Sequence, residues 1–353
     1  MVFSHLYLLV NMGGIYMKKT LINRKLCTFS IAILMSTTLV QYQAYAENKD
    51  CINNSEVIIN SAYLERTEKT ISQKLSSPIN LREAPASVTD KSVVLVWEKP
   101  ESYSRITGYV IYNNSGEKVG VTDKTYYKVE GLKQDRNYSY TVKAQDASGA
   151  QSESSNEVIV NTEKSQKILN VKDYGAVGDG ITKDTEAIQK AIDNCNNGET
   201  VLLPEGKYLS GALNLHDNMT FYVDKNAQLI PSKELKDYSW TSARHDIEDI
   251  YDPKSATLGN PAFSSLLNAG TMDHTKAATT SNIKIMGEGT IGDENNGLEL
   301  RKAYDTFCAD KTNNKASHYG GGSLISLKNC SNVYLDGIHI RNGMMWTIVP
   351  VYN

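Results

Sequence analysis

Asp217-Asn218-Met219-Thr220-Phe221, Ser281-Asn282-Ile283-Lys284-Ile285 and Ser331-Asn332-Val333-Tyr334-Leu335 are three copies of one pattern. Each is a polar residue, an asparagine, then apolar-x-apolar. Successive side chains on a strand point to opposite faces, so each copy presents one apolar face. The last two copies run on through a glycine, Gly287 or Gly337, to a further strand. Short strands with polar corners, and too few helices for strand–helix–strand units, predict a right-handed parallel β-helix over residues 168–353. Each coil of such a solenoid buries its apolar face only against its neighbours.

Upstream of the repeats, Val171–Gly180 reads as a strand followed by a glycine-rich turn. Asp184 is the expected N-cap of an amphipathic helix with Ala187, Ile188, Ala191 and Ile192 on one face, ended by Asn197-Gly198. That helix is expected to cap the core of the first coil. The spacing of Gly175, Gly178 and Gly180 fits no nucleotide-binding signature, and no Lys-Ser/Thr pair follows. Val201-Leu202-Leu203, Pro204-Glu205-Gly206 and Lys207-Tyr208-Leu209 continue the coil rhythm. Polar stretches at 236–278 and 293–322 interrupt it as long insertions, which in solenoids gather on one side and wall a cleft.

Ahead of the solenoid the pattern is different. Ser92–Trp97, Gly108–Tyr112, Tyr138–Ala144 and Glu157–Val160 are short alternating strands between turn signals, the mark of an antiparallel sandwich. Trp97 in an early strand, Gly108 to Tyr112, and Leu132 followed six positions later by Tyr138 resemble the fibronectin type III module. The resemblance implies that the Tyr138 hydroxyl bonds back to upstream backbone as a tyrosine corner. The module is placed at 81–163, its implied role that of a spacer or positioning domain. Residues 47–80 are read as a linker with a short helical suggestion around Val57 to Leu75.

The amino end reads as an export signal. Lys18, Lys19, Arg24 and Lys25 precede an apolar stretch from Leu26 to Val40, too short and interrupted for a membrane anchor, and Ala44-Tyr45-Ala46 supplies a cleavage pattern. Residues 1–46 are assigned to this signal, with Met17 as the better start. Without its four basic residues the chain carries 33 Lys and Arg against 40 Asp and Glu, a net charge of −7. That argues against nucleic acid or an anionic membrane as partner. Cys51, Cys195, Cys308 and Cys330 lack metal-ligand spacing, and sequence leaves their pairing open. The expected location is the periplasm or the outside of a bacterial cell.

Four features in order carry a second resemblance. They are Val171–Gly180 with its helix, Pro204-x-Gly206-x-Tyr208, Gly287-Glu288-Gly289-Thr290-Ile291, and Gly337-Ile338-His339-Ile340-Arg341-Asn342 leading to Trp346. The series resembles the amino-terminal half of the polygalacturonase family of glycoside hydrolases, and the preceding module resembles its bacterial exo-acting branch. The resemblance implies hydrolysis of α-1,4 galacturonan with inversion, and polygalacturonate or its oligomers as substrate. Inversion needs an acid and a base carboxyl about 6.5–9.5 Å apart with a water between them. The family's Asn-Thr-Asp, Asp-Asp, Gly-His-Gly and Arg-Ile-Lys segments do not occur in these 353 residues. No catalytic, cofactor or metal residue is therefore carried over, and the chain is expected to be cut short at Asn353 and inactive. The alternative is a non-catalytic carbohydrate-binding or adhesin-like β-helix. A calcium-dependent pectate lyase is disfavoured because no acidic calcium cluster is evident.

Within the chain, Arg244-His245-Asp246 and His318-Tyr319 fall in the insertions, where an exo-acting enzyme contacts substrate. Ordinary solvated loop residues are the favoured reading, with substrate contact as the alternative. Asp293-Glu294 is read as a solvated turn, His339 as a surface residue and Trp346 as core. The last coil, Met345–Val349, is expected to leave Ile348 and Val349 uncovered, so that 168–353 alone is poorly soluble.

Overall fold

The computed structural model describes residues 7–11, 14–18, 74–100, 103–241, 262–271, 278–309, 322–344 and 346–351. A hairpin of β1 (Tyr7–Asn11) and β2 (Gly14–Lys18) belongs to one compact unit, residues 1–74. The expected signal core, Cys51 and the helical suggestion up to residue 73 lie outside the described residues. Residues 75–353 form the second unit.

That unit opens with a sandwich. One sheet pairs β3 (Ile79–Glu83), β4 (Val93–Glu98) and β7 (Tyr126–Val129). The other runs β6 (Lys118–Thr122), β5 (Ile106–Asn113), β8 (Asn137–Asp146) and β9 (Val158–Asn161). Every pairing is antiparallel. Leu95, Trp97, Tyr109, Ile111, Val142 and Val160 fill the space between the sheets. The backbone N–H of Lys133 donates to the Tyr138 hydroxyl at 2.9 Å, so the expected corner forms. The first strand starts at Ile79, two residues ahead of the expected module boundary.

From Ile168 the chain winds through three parallel sheets. The first stacks β10 (Ile168–Asn170), β12 (Thr200–Leu203), β15 (Met219–Val223), β20 (Thr280–Gly287) and β23 (Cys330–Asp336). The second stacks β11 (Asp179–Lys183), β13 (Gly206–Ser210), β16 (Ala227–Pro231), β21 (Thr290–Ile291) and β24 (His339–Ile340). The third stacks β14 (Leu213–Leu215), β19 (Leu267–Gly270), β22 (Ile325–Lys328) and β25 (Ile348–Val351). Two short strands, β17 (Trp240–Thr241) and β18 (Ala262–Phe263), pair antiparallel inside the first insertion. The fold is all-β: a fibronectin-type sandwich followed by coils of a parallel β-helix.

Register explains the repeats. Val201, Phe221, Ile285 and Leu335 stack through the first sheet, and Tyr208, Leu229, Ile291 and Ile340 through the second. Leu213, Leu267, Ile325 and Ile348 stack through the third. Asn218, Asn282 and Asn332 all adopt left-handed backbone, φ 55°, 57° and 53°. Asparagine is among the few non-glycine residues that visit this region without large cost. Their amides form a ladder, Asn282 donating to Asn218 at 2.7 Å and Asn332 to Asn282 at 3.0 Å.

In the first coil, helix α1 (Thr185–Asp193) stands where the third sheet's first strand would be, burying Ile188, Ala191 and Ile192. Asp184 is at the N-cap, but its carboxylate does not cap the helix. It accepts instead from the N–H groups of Val177 and Gly178 at 2.7 and 3.0 Å, pinning the glycine turn. Gly178, at φ 73°, lies so close to the Tyr208 ring that a Cβ would stand 2.9 Å from it. The helix ends at Asp193 rather than at the expected Asn197-Gly198. Cys195 and Cys330 are both buried, Cys195 as a free thiol.

Candidate functional site

Each coil leaves the second sheet at one corner and re-enters the third. The excursions 232–266, 292–324 and 341–347 therefore emerge over the same corner, one above another, as successive strands of both sheets are in register. Their described parts share an apolar core of Tyr238, Phe263, Leu300, Tyr304 and Met344, with Ala212 and Leu235 against it. The Phe263 and Tyr304 rings meet edge-on, centroids 6.0 Å apart. The void beside this core, lined by Leu235, Tyr238, Phe263, Leu300 and Met344, is about 10 Å³, no more than one water fills. The described parts of the excursions thus form a packed wall.

Polar contacts lace the wall together. In the second excursion, helix α2 (Asn296–Ala309) begins where the Asn296 N–H donates to Asp293 Oδ1 at 2.8 Å. The Asn296 amide reaches back to the Pro231 carbonyl at 3.1 Å, and Asn342 donates to the Asp293 carbonyl at 2.8 Å. Asp293 and Asn296 thereby join the second excursion to the third and to the end of β16. At the base, the Ser265 and Ser323 hydroxyls lie 2.8 Å apart, both buried.

The first excursion is also tied to the first coil. Lys183 Nζ contacts Asp237 Oδ2 at 2.7 Å and Glu234 Oε2 at 3.1 Å, while Lys236 contacts Glu234 at 2.8 Å. The Ser232 hydroxyl donates to Asp237, and the Asp237 carbonyl accepts from Ala212 N–H at 3.1 Å. The Asp237 carboxylate holds the Lys183 ammonium above its ordinary range, with Glu234 adding to it. Lys236 and then Lys183 hold the Glu234 carboxyl below its own. The Tyr238 hydroxyl donates to the Ser232 carbonyl at 2.8 Å, and burial pushes its titration far upward.

Arg244, His245, Asp246, His318 and Tyr319 lie outside the described residues. Asp293 is half-buried and serves the start of α2, while Glu294 beside it is exposed, as a turn pair should be. His339 is exposed on the outer face of the second sheet, in register behind Lys207, Gln228 and Thr290. Trp346 corrects the sequence expectation: it is 48% exposed, not core. It stands two residues ahead of β25, in the corner segment, so strand alternation does not direct it inward. Among the described residues no three His, Cys, Asp or Glu side chains gather as a metal site. Sequence reasoning missed the Lys183–Asp237 tie, whose partners are 54 residues apart and carry no local signal.

Residues 76–161 match the fibronectin type III domain family. Residues 168–233 match the family described as rhamnogalacturonase A/epimerase, pectate lyase-like. The exo-poly-alpha-D-galacturonosidase of Dickeya chrysanthemi is 31% identical over 325 residues, spanning 75% of this chain and 52% of that protein. The solved Family 28 exopolygalacturonase of Yersinia enterocolitica superposes with a TM-score of 0.65 at 29% identity, over 74% of this chain and 55% of that one. The chain is a homologue of the exopolygalacturonases. A probable polygalacturonase of Vitis vinifera is 23% identical over 186 residues, 51% of this chain and 33% of that protein. This exopolygalacturonase homologue spans about half the length of the first two relatives.

Proposed function

We propose that the chain serves hydrolysis of α-1,4 galacturonan by inverting attack at a chain end, and that the packed corner is where it meets the polymer. What carries the reading is the stacking of three excursions into one wall over the corner between the second and third sheets. The wall has its own apolar core and is tied to the first coil by Lys183; in this reading it bounds one side of the substrate path and so favours a chain end over the middle of a polymer. The homology to enzymes named for galacturonan cleavage gives the substrate class.

The 353-residue polypeptide is proposed not to hydrolyse galacturonan by itself. It contains no Asp-Asp pair and none of the three other segments that such chemistry uses in the family. A second reading, a non-catalytic galacturonan-binding β-helix, draws on the same wall together with the absence of those sequence segments. The protein is proposed to act outside the cytoplasm, following the signal read at residues 1–46. Calorimetric titration with di- and trigalacturonate, alongside a reducing-end assay on polygalacturonate, tests these statements. Binding without product release is expected; no heat with either oligomer would defeat the substrate assignment.

A further inference from the structure

The outer face of the first sheet is not open. By register, Thr220, Lys284 and Tyr334 form one outward row across β15, β20 and β23, and Tyr222, Met286 and Asp336 form the next. Lys284 is 8% exposed although its side chain points away from the β-helix core. Its ammonium lies 2.7 and 2.6 Å from the two carboxylate oxygens of Glu163 and also donates to the Val88 carbonyl. Both partners belong to the sandwich. A second tie joins Lys128 of β7 to Asp336 at 2.6 Å, with Glu130 on the same ammonium at 3.1 Å.

The connection between the domains has no slack. Glu163 N–H donates to the Thr89 carbonyl, Ser165 N–H to the Gln134 side chain at 2.7 Å, and the Lys167 carbonyl accepts from Thr200 at 3.0 Å. Residues 163–167 are thus held by the sandwich at one end and by β12 at the other. A buried lysine is tolerated only when paired and hydrogen-bonded, and here the pairing comes entirely from the neighbouring domain.

We infer that the outer face of the first sheet is a docking surface for the chain's own fibronectin-type domain, clamped by Lys284 between Glu163 and Val88. The sandwich is then a fixed brace on the β-helix and not a tethered spacer. It occupies the first sheet's outer face around Lys284 and Asp336, so a polymer cannot run along that strip.

Charge exchange on the full chain tests this. Glu163→Lys places two ammonium groups face to face at a position whose carboxylate side chain is 53% exposed, so neither domain's core is touched. Scanning calorimetry and small-angle scattering are read on the parent, on Glu163→Lys and on the exchanged pair Glu163→Lys with Lys284→Glu. The parent is expected to melt in one coupled transition and scatter as one compact body. Glu163→Lys is expected to split the transition and lengthen the maximum dimension, and the exchanged pair to restore both. Two transitions in the parent, or a Glu163→Lys variant indistinguishable from it in both measurements, overturns the inference.

Discussion

Replacing Asn282 separates the two things that the repeated asparagine does. The residue sits at φ 57°, donates to Asn218 at 2.7 Å and accepts from Asn332 at 3.0 Å. Asn282→Gly keeps the left-handed backbone and removes both ladder bonds. Each is exposed and so belongs at the low end of net hydrogen-bond values, giving a loss of about 1 kcal/mol for the pair. Asn282→Ala removes the same bonds and keeps a Cβ in left-handed backbone without the short polar side chain that lets asparagine tolerate it, a further loss of about 1–2 kcal/mol. Alanine should therefore destabilise by about 2–3 kcal/mol in all, with glycine clearly milder. Urea denaturation of the full chain, followed by far-ultraviolet circular dichroism, reads the difference. Alanine and glycine variants of equal stability would refute the claim that backbone conformation selects asparagine at this corner.

Phe221 is fully buried between Val201 and Ile285, so Phe221→Ala should cost about 3–5 kcal/mol by denaturant titration, as expected for a cavity in a packed core. The Asp146 carboxyl is held below its usual range by the Ser148 hydroxyl first, with the Ser148 and Ala150 amides and Arg105 adding to it. A depressed carboxyl contributes stability that is present above the ordinary carboxylate range and lost as pH falls through the lowered value. Asp146→Asn should thus flatten the acid limb of the stability profile while lowering stability at neutral pH. Burial pushes the Cys195 thiol up to about 11 and raises Cys330 as well. Peptide mapping after alkylation of the native protein near pH 8 should find Cys195 unmodified, and modified once the chain is unfolded.

The coil repeat was legible because its cause is local. A left-handed corner demands asparagine or glycine, and the apolar-x-apolar strand after it demands a buried face, so three residues of pattern sufficed. The helix over 185–193 was legible for the same reason. Asp184 reads as a cap, since the alternative donors to its carboxylate, the Val177 and Gly178 N–H groups, are set by a turn whose path the sequence does not state. Strands β6 and β7 escaped notice because neither alternates cleanly between buried and exposed positions. Trp346 was taken for core by hydrophobicity alone, while its place in a corner segment leaves it half exposed. The pairing of Lys284 has no local signal, as its partner Glu163 is 121 residues away in another domain. Contacts of that separation are properties of the assembled fold.

Hydrogen–deuterium exchange on the full chain, with and without trigalacturonate, probes the wall itself. Slowed exchange confined to 232–241, 262–266, 292–309 and 341–344 is the predicted footprint. Protection on the sandwich strands instead, or an exchange map unchanged by saturating oligomer, would contradict it.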